Sequence, residues 1–448
     1  MSDVVGGGRN WIAPTFVWHR FGLMDLGLRV ISLAALGALM AFAPAAAAGP
    51  PAEQGTSFYA LVVANNASLD HARAPLQYAD DDGASFFELL EPQVDEAALL
   101  AVLDDDTQRR HPGLAARARP PTRRELLAAV DHLAKRMEAD RQAGRRTVLY
   151  FVYAGHGQRN AGGEGSITLL DGLFGRTDLF DQVVSKLPAT FIHLIVDACD
   201  SYLFVHARGA LSPGPSYAAA ITASLSRMEL ERWPQLGLVL STTREQESHE
   251  WSAIRSGVFS HQVRSALSGA ADVNGDGRVE YSELAAFVAA ANQGVEEARG
   301  KVDLLARAPA LDRGVALADV RRPTRQGYLF LPPGMAGRFW VEDEHGVREA
   351  ELNKQKERPA VMALAPGRRY YLRGEGREAP FQVPRAGAVV DAGALAWGDL
   401  PLAARGPVED AFRARLFSVP FGPSFYRGYV ASVGEEPVAI REQLDLSP

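Results

Sequence analysis

TVLYFVY (147–153) is apolar after its first residue and runs straight into Ala154-Gly155-His156-Gly157. A short run apolar at every position, not at alternate ones, is what a strand covered on both faces looks like. Working outward, Thr122 and Glu125 form a capping box behind Pro121. Leu126, Val130, Leu133 and Met137 then recur at helical spacing, and Gly144 suits the helix end. Downstream, a helix-like stretch (177–187) leads into FIHLIVDA (191–198), and GLVLSTT (237–243) is a further strand. Upstream, SFYALVVA (57–64) is a compact buried strand and DGASFFELL (82–90) looks helical. Strands alternating with helices predict βαβ units, hence an α/β fold whose mostly parallel sheet is flanked by helices.

The composition agrees with this and removes several functions. The chain has 448 residues, 47% hydrophobic and 23% charged, which is globular and long enough for two to three domains. A net charge of −7 argues against a dedicated nucleic-acid binder with a broad basic field. The single cysteine excludes an intramolecular disulfide and a cysteine-based zinc site.

That cysteine, Cys199, stands where the apolar run 191–198 ends, and His156 stands just past the run 147–153. In a parallel sheet both positions lie at strand carboxyl ends, where α/β folds place ligands. A thiolate attacks carbonyls when a base activates it, and an imidazole can return the proton to a leaving amine. Gly155 and Gly157 let backbone approach a substrate closely. The backbone N–H groups of Gly157 and Cys199 form a candidate oxyanion hole. The competing reading is a buried cysteine that packs as a small hydrophobe beside a structural histidine.

An apolar strand ending in Gly-His-Gly, then an apolar strand ending in Asp197-Ala-Cys199-Asp-Ser201, resembles the caspase/metacaspase family of cysteine peptidases. The His156-to-Cys199 spacing is near the roughly 50 residues of the caspase signature. The flanking residues depart from that signature and are closer to the metacaspase form. LVVANNASLD through LQYADDDGASFFELL (61–90) and GVFSHQVRSAL (257–267) match as well, so the resemblance spans roughly residues 55–300. It implies a caspase-like sheet, peptide or protein substrates, Cys199 as nucleophile and His156 as general acid/base.

Asp197 precedes Cys199 by two, so in an extended strand both side chains point to one side. A carboxylate there suits a cationic substrate side chain. In metacaspases a second acid comes from an early acidic segment, here Ala79-Asp80-Asp81-Asp82-Gly83, in which Asp82 aligns best and Asp80 is the rival. The resemblance therefore implies cleavage after Arg or Lys. The plainer alternative is that Asp82 caps the following helix and Asp197 organises a turn.

Residues 272–283 read DVNGDGRVEYSE. Asp272, Asn274 and Asp276 occupy positions 1, 3 and 5 of an EF-hand loop, and Gly277 stands at the sharp turn. Arg278 offers its carbonyl, Glu280 a ligand through water, and Glu283 a bidentate carboxylate. Hard oxygen donors at alternate positions suit Ca²⁺; the alternative is an acidic turn opening a helix. No organic cofactor is implied.

The remaining segments set the organisation. VISLAALGALMAFA (30–43), preceded by Arg29 and followed by Ala46 and Ala48, has the form of a secretory signal over residues 1–48, with Met24 a candidate true start. It predicts a periplasmic or extracellular protein, the alternative being an uncleaved anchor. Residues 201–235 are a linker rich in Gly, Pro and Ser, where Arg208, Arg227 and Arg232 are candidate self-cleavage points. Short alternating runs such as GYLFL and GRFWVED predict a small β domain over 322–400, with a partner of its own left open. Residues 401–448 carry no readable pattern. The rival functions are a catalytically silent caspase-like adaptor and an envelope-associated binding protein.

Overall fold

The computed structural model describes residues 55–198, 232–241, 250–252, 254–295, 302, 304–399 and 415–440. The candidate signal, Cys199 and most of the 201–235 linker, Arg208 and Arg227 included, lie outside the described residues.

In chain order the first elements are β1 (Thr56–Asn65), α1 (Ala79–Leu90), β2 (Glu96–Leu100), α2 (Asp105–Arg110), α3 (Arg123–Gln142) and β3 (Arg146–Gly155). A hairpin sheet follows: β4 (Gly157–Arg159), β5 (Gly165–Leu169) and β6 (Gly172–Gly175). Then come α4 (Arg176–Leu179), β7 (Phe191–Asp197), β8 (Leu236–Ser241), β9 (Glu250–Trp251), β10 (Ser256–Gly257) and α5 (Val258–Ser265). The core closes with β11 (Arg278–Val279), α6 (Tyr281–Asn292) and β12 (Leu304–Arg307).

The central sheet runs β12-β8-β7-β3-β1-β2. Its four pairings from β2 to β8 are parallel, and the last strand, β12, is antiparallel to β8. Successive residues of β1 divide between two apolar layers, as period-two side chains must. Ala60, Val62 and Ala64 pack with Phe86 and Phe87 of α1, Phe259 and Val263 of α5 and Leu284 of α6. Tyr59, Leu61 and Val63 pack with Leu126, Val130, Leu133 and Met137 of α3 and with Phe180 and Val183. Burial on both faces is why the strands are apolar throughout. The expected cap is present, the Thr122 hydroxyl accepting from the Glu125 N–H at 3.3 Å.

One edge of the sheet is bridged at its end and the other is a short strand. Beyond β2, Arg119 bridges Leu100, donating to Leu99 O and accepting from the Ala101 N–H. Beyond β8 lies the four-residue β12.

The β-rich region comprises β13 (Ala318–Asp319), β14 (Gly327–Leu331), β15 (Gly337–Asp343), β16 (Arg348–Lys354), β17 (Ala360–Leu364), β18 (Arg369–Gly374), β19 (Arg377–Gln382), β20 (Val389–Asp391) and β21 (Gly398–Asp399). A three-stranded sheet β17-β14-β20 and a five-stranded sheet β16-β15-β18-β19-β21 share one apolar cluster with α1, α5 and α6 through Leu329, Leu352, Met362 and Leu372. Polar anchoring is dense there. Buried Glu351 of β16 meets Arg338, Arg348 at 2.8 Å and His261 of α5 at 3.3 Å. Arg368 grips Glu88 of α1 through two bonds of 2.8 and 2.6 Å.

Part of the unpatterned tail forms α7 (Pro423–Val433), whose Tyr426 and Val430 pack on Val273 and Ala286. Among the described residues, no helix is long and apolar enough to cross a membrane.

Candidate active site

His156 leaves the end of β3, and the backbone before it is tightly constrained. A side chain at Gly155 would meet the Tyr153 hydroxyl and, at 2.9 Å, the Asn65 carbonyl. The Tyr153 hydroxyl donates to the His156 carbonyl at 2.8 Å, fixing the turn from below. The imidazole is 4% exposed and donates to the Ala74 carbonyl, while Nε2 has no hydrogen-bond partner among the described residues. The donated proton therefore sits on Nδ1, and the Nε2 lone pair is free to accept one. Burial, and then the neighbouring Arg73 charge, lower the ring's pKa to about 4, so it is neutral near pH 7.

Gly157 opens β4 opposite Ile167, and its carbonyl accepts from Arg73 Nη1 at 3.1 Å. A strand residue sends its N–H and C=O to the same side. The Gly157 N–H is thus directed away from β5, as an oxyanion donor requires. The other expected donor, Cys199, lies outside the described residues; β7, paired with β3 up to Ala154↔Asp197, delivers the chain to that point.

The substrate-pocket candidates separate into two groups. Asp197, at the end of β7, accepts from the Ser260 hydroxyl at 2.6 Å and the Ser260 N–H at 3.2 Å. Asp82 accepts from the Gly257 N–H at 2.8 Å and from the Ser256 hydroxyl, with Arg264 3.9 Å away. A Cβ on Gly257 would lie 2.8 Å from one Asp197 oxygen and 3.1 Å from one of Asp82. Both acids therefore converge on the start of α5, which accounts for a glycine at 257. Asp82 does not cap its own helix; its oxygens hold the β10–α5 corner.

Burial pushes Asp197 up to about 6. Burial also raises Asp82 well above the carboxylate range, partly relieved by Arg264 and reinforced by the Asp197 charge. Burial and mutual repulsion thus work against both carboxyls being charged at once, while Arg264 and the Gly257 and Ser256 donors work the other way at Asp82. Asp80 is placed elsewhere, fully buried and accepting from Asn66 Nδ2 at 2.6 Å and the Asp104 N–H at 2.8 Å. It ties two loops together.

Sequence reasoning missed Glu250, Ser256, Ser260, Arg73 and Ala74. Glu250 of β9 accepts from the Gln77 and Tyr78 N–H groups at 2.9 and 2.8 Å and adds negative charge beside Asp197. Ser260 was findable in principle, as the third helical residue after Gly257 in the GVFSHQVRSAL segment. Ala74 acts through its carbonyl and leaves no mark in a sequence.

The calcium-loop candidates are held by their own backbone. Asp272 accepts from the Gly275, Asp276 and Gly277 N–H groups, and Asn274 Oδ1 from the Asp276 N–H. Asp276 accepts from the Arg278 N–H. Glu283 accepts from the N–H groups of Val273, Asn274 and Glu280. Among the described residues, no three His, Cys, Asp or Glu side chains form a ready-made metal cage.

Compared with known proteins, a family profile described as "Caspase domain" matches residues 57–310, more than half of the chain. No curated protein matches it. Among solved structures, a Geobacter sulfurreducens protein aligns at 14% identity and TM-score 0.35, over 59% of this chain and 99% of its own. Pro-Sf-caspase-1 aligns at 12% and 0.36, over 58% and 89%. Caspase-1 from Spodoptera frugiperda aligns at 12% and 0.26, over 47% and 68%.

Proposed function

Because the chain belongs to the caspase-domain family of cysteine peptidases, we propose that it is an endopeptidase working through Cys199 and His156. The supporting observation is the state of His156. Its ring is neutral near pH 7, oriented by the Ala74 carbonyl, and keeps a partnerless Nε2 at the carboxyl end of β3, beside the strand that leads to Cys199.

In this reading His156 takes the Cys199 thiol proton and the thiolate sulfur bonds to the substrate carbonyl carbon. The carbonyl oxygen gathers negative charge, which the Gly157 and Cys199 N–H groups stabilise. His156 then gives its proton to the departing amine and the C–N bond breaks, leaving a thioester. Water, deprotonated by the same imidazole, hydrolyses the thioester and restores the thiol.

Asp197, with Asp82 and Glu250 behind it, supplies the charge for an Arg or Lys side chain before the scissile bond. The segment 30–43 supports export, with cleavage near Ala48; N-terminal sequencing of the mature chain tests that. The silent-adaptor reading draws on one observation, the deep burial of His156 and its low basicity. Labelling with a peptidyl electrophile carrying Arg, compared with Cys199→Ala, separates the two. Labelling of the parent alone supports the peptidase, and labelling of neither supports the adaptor.

A further inference from the structure

We propose that the loop Asp272–Glu283 is a calcium site. Its ligands are the side chains of Asp272, Asn274 and Asp276, the Arg278 carbonyl, and the carboxylates of Glu280 and Glu283. The residue types fall at the alternate positions a hard cation needs, and Gly277 turns the chain with φ +78°. Acidic spacing alone would describe any helix-opening turn. The independent observation is Glu280. This carboxyl is 6% exposed, and its Oε2 has no hydrogen-bond partner among the described residues. It lies against the carboxyl of Glu283, itself 0% exposed, with Asp272 close enough to add its own charge.

The two neighbouring arginines partly offset the loop's charge, Arg321 acting on Asp272 and Asp276 and Arg278 on the other oxygen of Glu280, and each is anchored outside the loop as well. Arg321 binds Asp319 through two bonds of 3.1 Å, and Arg278 Nη2 donates to the Gly314 carbonyl at 2.7 Å, its Nε staying 3.8 Å from Glu280. Two buried carboxyls in contact, one with an unpartnered oxygen, are costly unless they share a proton or a cation lies between them, and only the cation also uses the other donors of the loop. The N–H bonds already made do not block this, because each carboxylate oxygen has two lone pairs.

The site lies where it would brace the fold. α5 and its extension enter the loop and α6 leaves it. Tyr281, the first residue of α6, bonds His193 of β7 at 2.6 Å, and α7 caps the assembly through Tyr426 on Ser282 at 2.9 Å.

Titration of CaCl₂ into the EDTA-stripped full chain, by calorimetry with melting temperature in parallel, tests the proposal independently of peptidase activity. One Ca²⁺ per chain is expected, with Kd in the range of about 10⁻⁷–10⁻³ M and a rising Tm. Glu283→Gln is expected to weaken binding roughly tenfold or more. Glu280→Gln separates ligation from folding. Its amide can donate to Glu283, so without calcium it melts higher than the parent, and its gain from calcium shrinks. No heat and no Tm change up to about 10 mM CaCl₂, an equal response to MgCl₂, or parent-like binding by Glu283→Gln overturns the site. So does a calcium-free Glu280→Gln chain that melts lower than the parent.

Discussion

Asp197→Asn is the substitution that isolates substrate charge from substrate shape. Asparagine keeps an oxygen for the Ser260 hydroxyl and N–H, the contacts at 2.6 and 3.2 Å, so the α5 corner is retained. What disappears is the negative charge. Asp82 does not replace it in full, because its oxygens are already engaged by the Gly257 N–H, the Ser256 hydroxyl and the Arg264 charge. Removing one partner of a desolvated charge pair costs about 2–4 kcal/mol in such a setting, so kcat/KM for an Arg peptide should fall roughly 30- to 1,000-fold. A peptide with citrulline at the same position, neutral and of the same shape, should be cut equally by parent and variant. The pH profile supplies a second reading. Asp197 is ionised above about 6, so for the parent kcat/KM on Arg peptides should fall about tenfold per pH unit below that point. The variant should show no such limb. Arg cleavage within about threefold of the parent, beyond what any charge term of this size allows, would refute the assignment of Asp197 to the substrate side chain. So would turnover only of Asp peptides.

Cys199→Ala should abolish hydrolysis and His156→Asn should lower kcat by about a hundred- to ten-thousand-fold, each with an unchanged melting temperature; an active Cys199→Ala enzyme would remove the mechanism. Glu351→Ala removes the buried carboxylate shared by Arg338, Arg348 and His261, and chemical denaturation should show a loss of about 3–5 kcal/mol. Thr122→Ala should cost about 1 kcal/mol by the same measurement, since only the cap of α3 is lost.

The parts of this molecule that were legible in its sequence are those where one physical force acts alone. β1, β3, β7 and β8 are buried on both faces, so hydrophobicity marks them without ambiguity. Thr122 and Glu125 announce α3 because a cap is a local contact. The hairpin β4–β6 was missed because its register is set from outside, by Asn65 Nδ2 on the Thr168 carbonyl at 2.9 Å and Arg73 on Gly157. α7 was unreadable for a related reason, since only Tyr426 and Val430 of its 11 residues are buried. At the candidate site Asp197 and Asp82, singled out together in the sequence, both approach Gly257. The groups that position them were not legible. Ser256, Ser260 and Glu250 are unremarkable letters until folding carries them across the sheet to residues far away in the chain. Asp80 and Asp82 look alike in sequence and differ only in what surrounds them.

The guarded margins of the central sheet have a consequence for how this protein behaves in company. An unpaired strand offers a row of amide groups to any passing extended chain. Here one margin carries Arg119 followed by Pro120 and Pro121, and the other ends in a four-residue strand followed by Pro309. Proline has no N–H to donate and so stops a ladder from growing. A ladder continued along either margin therefore meets proline within a few residues, which shortens the stretch a neighbouring molecule's strand could pair with.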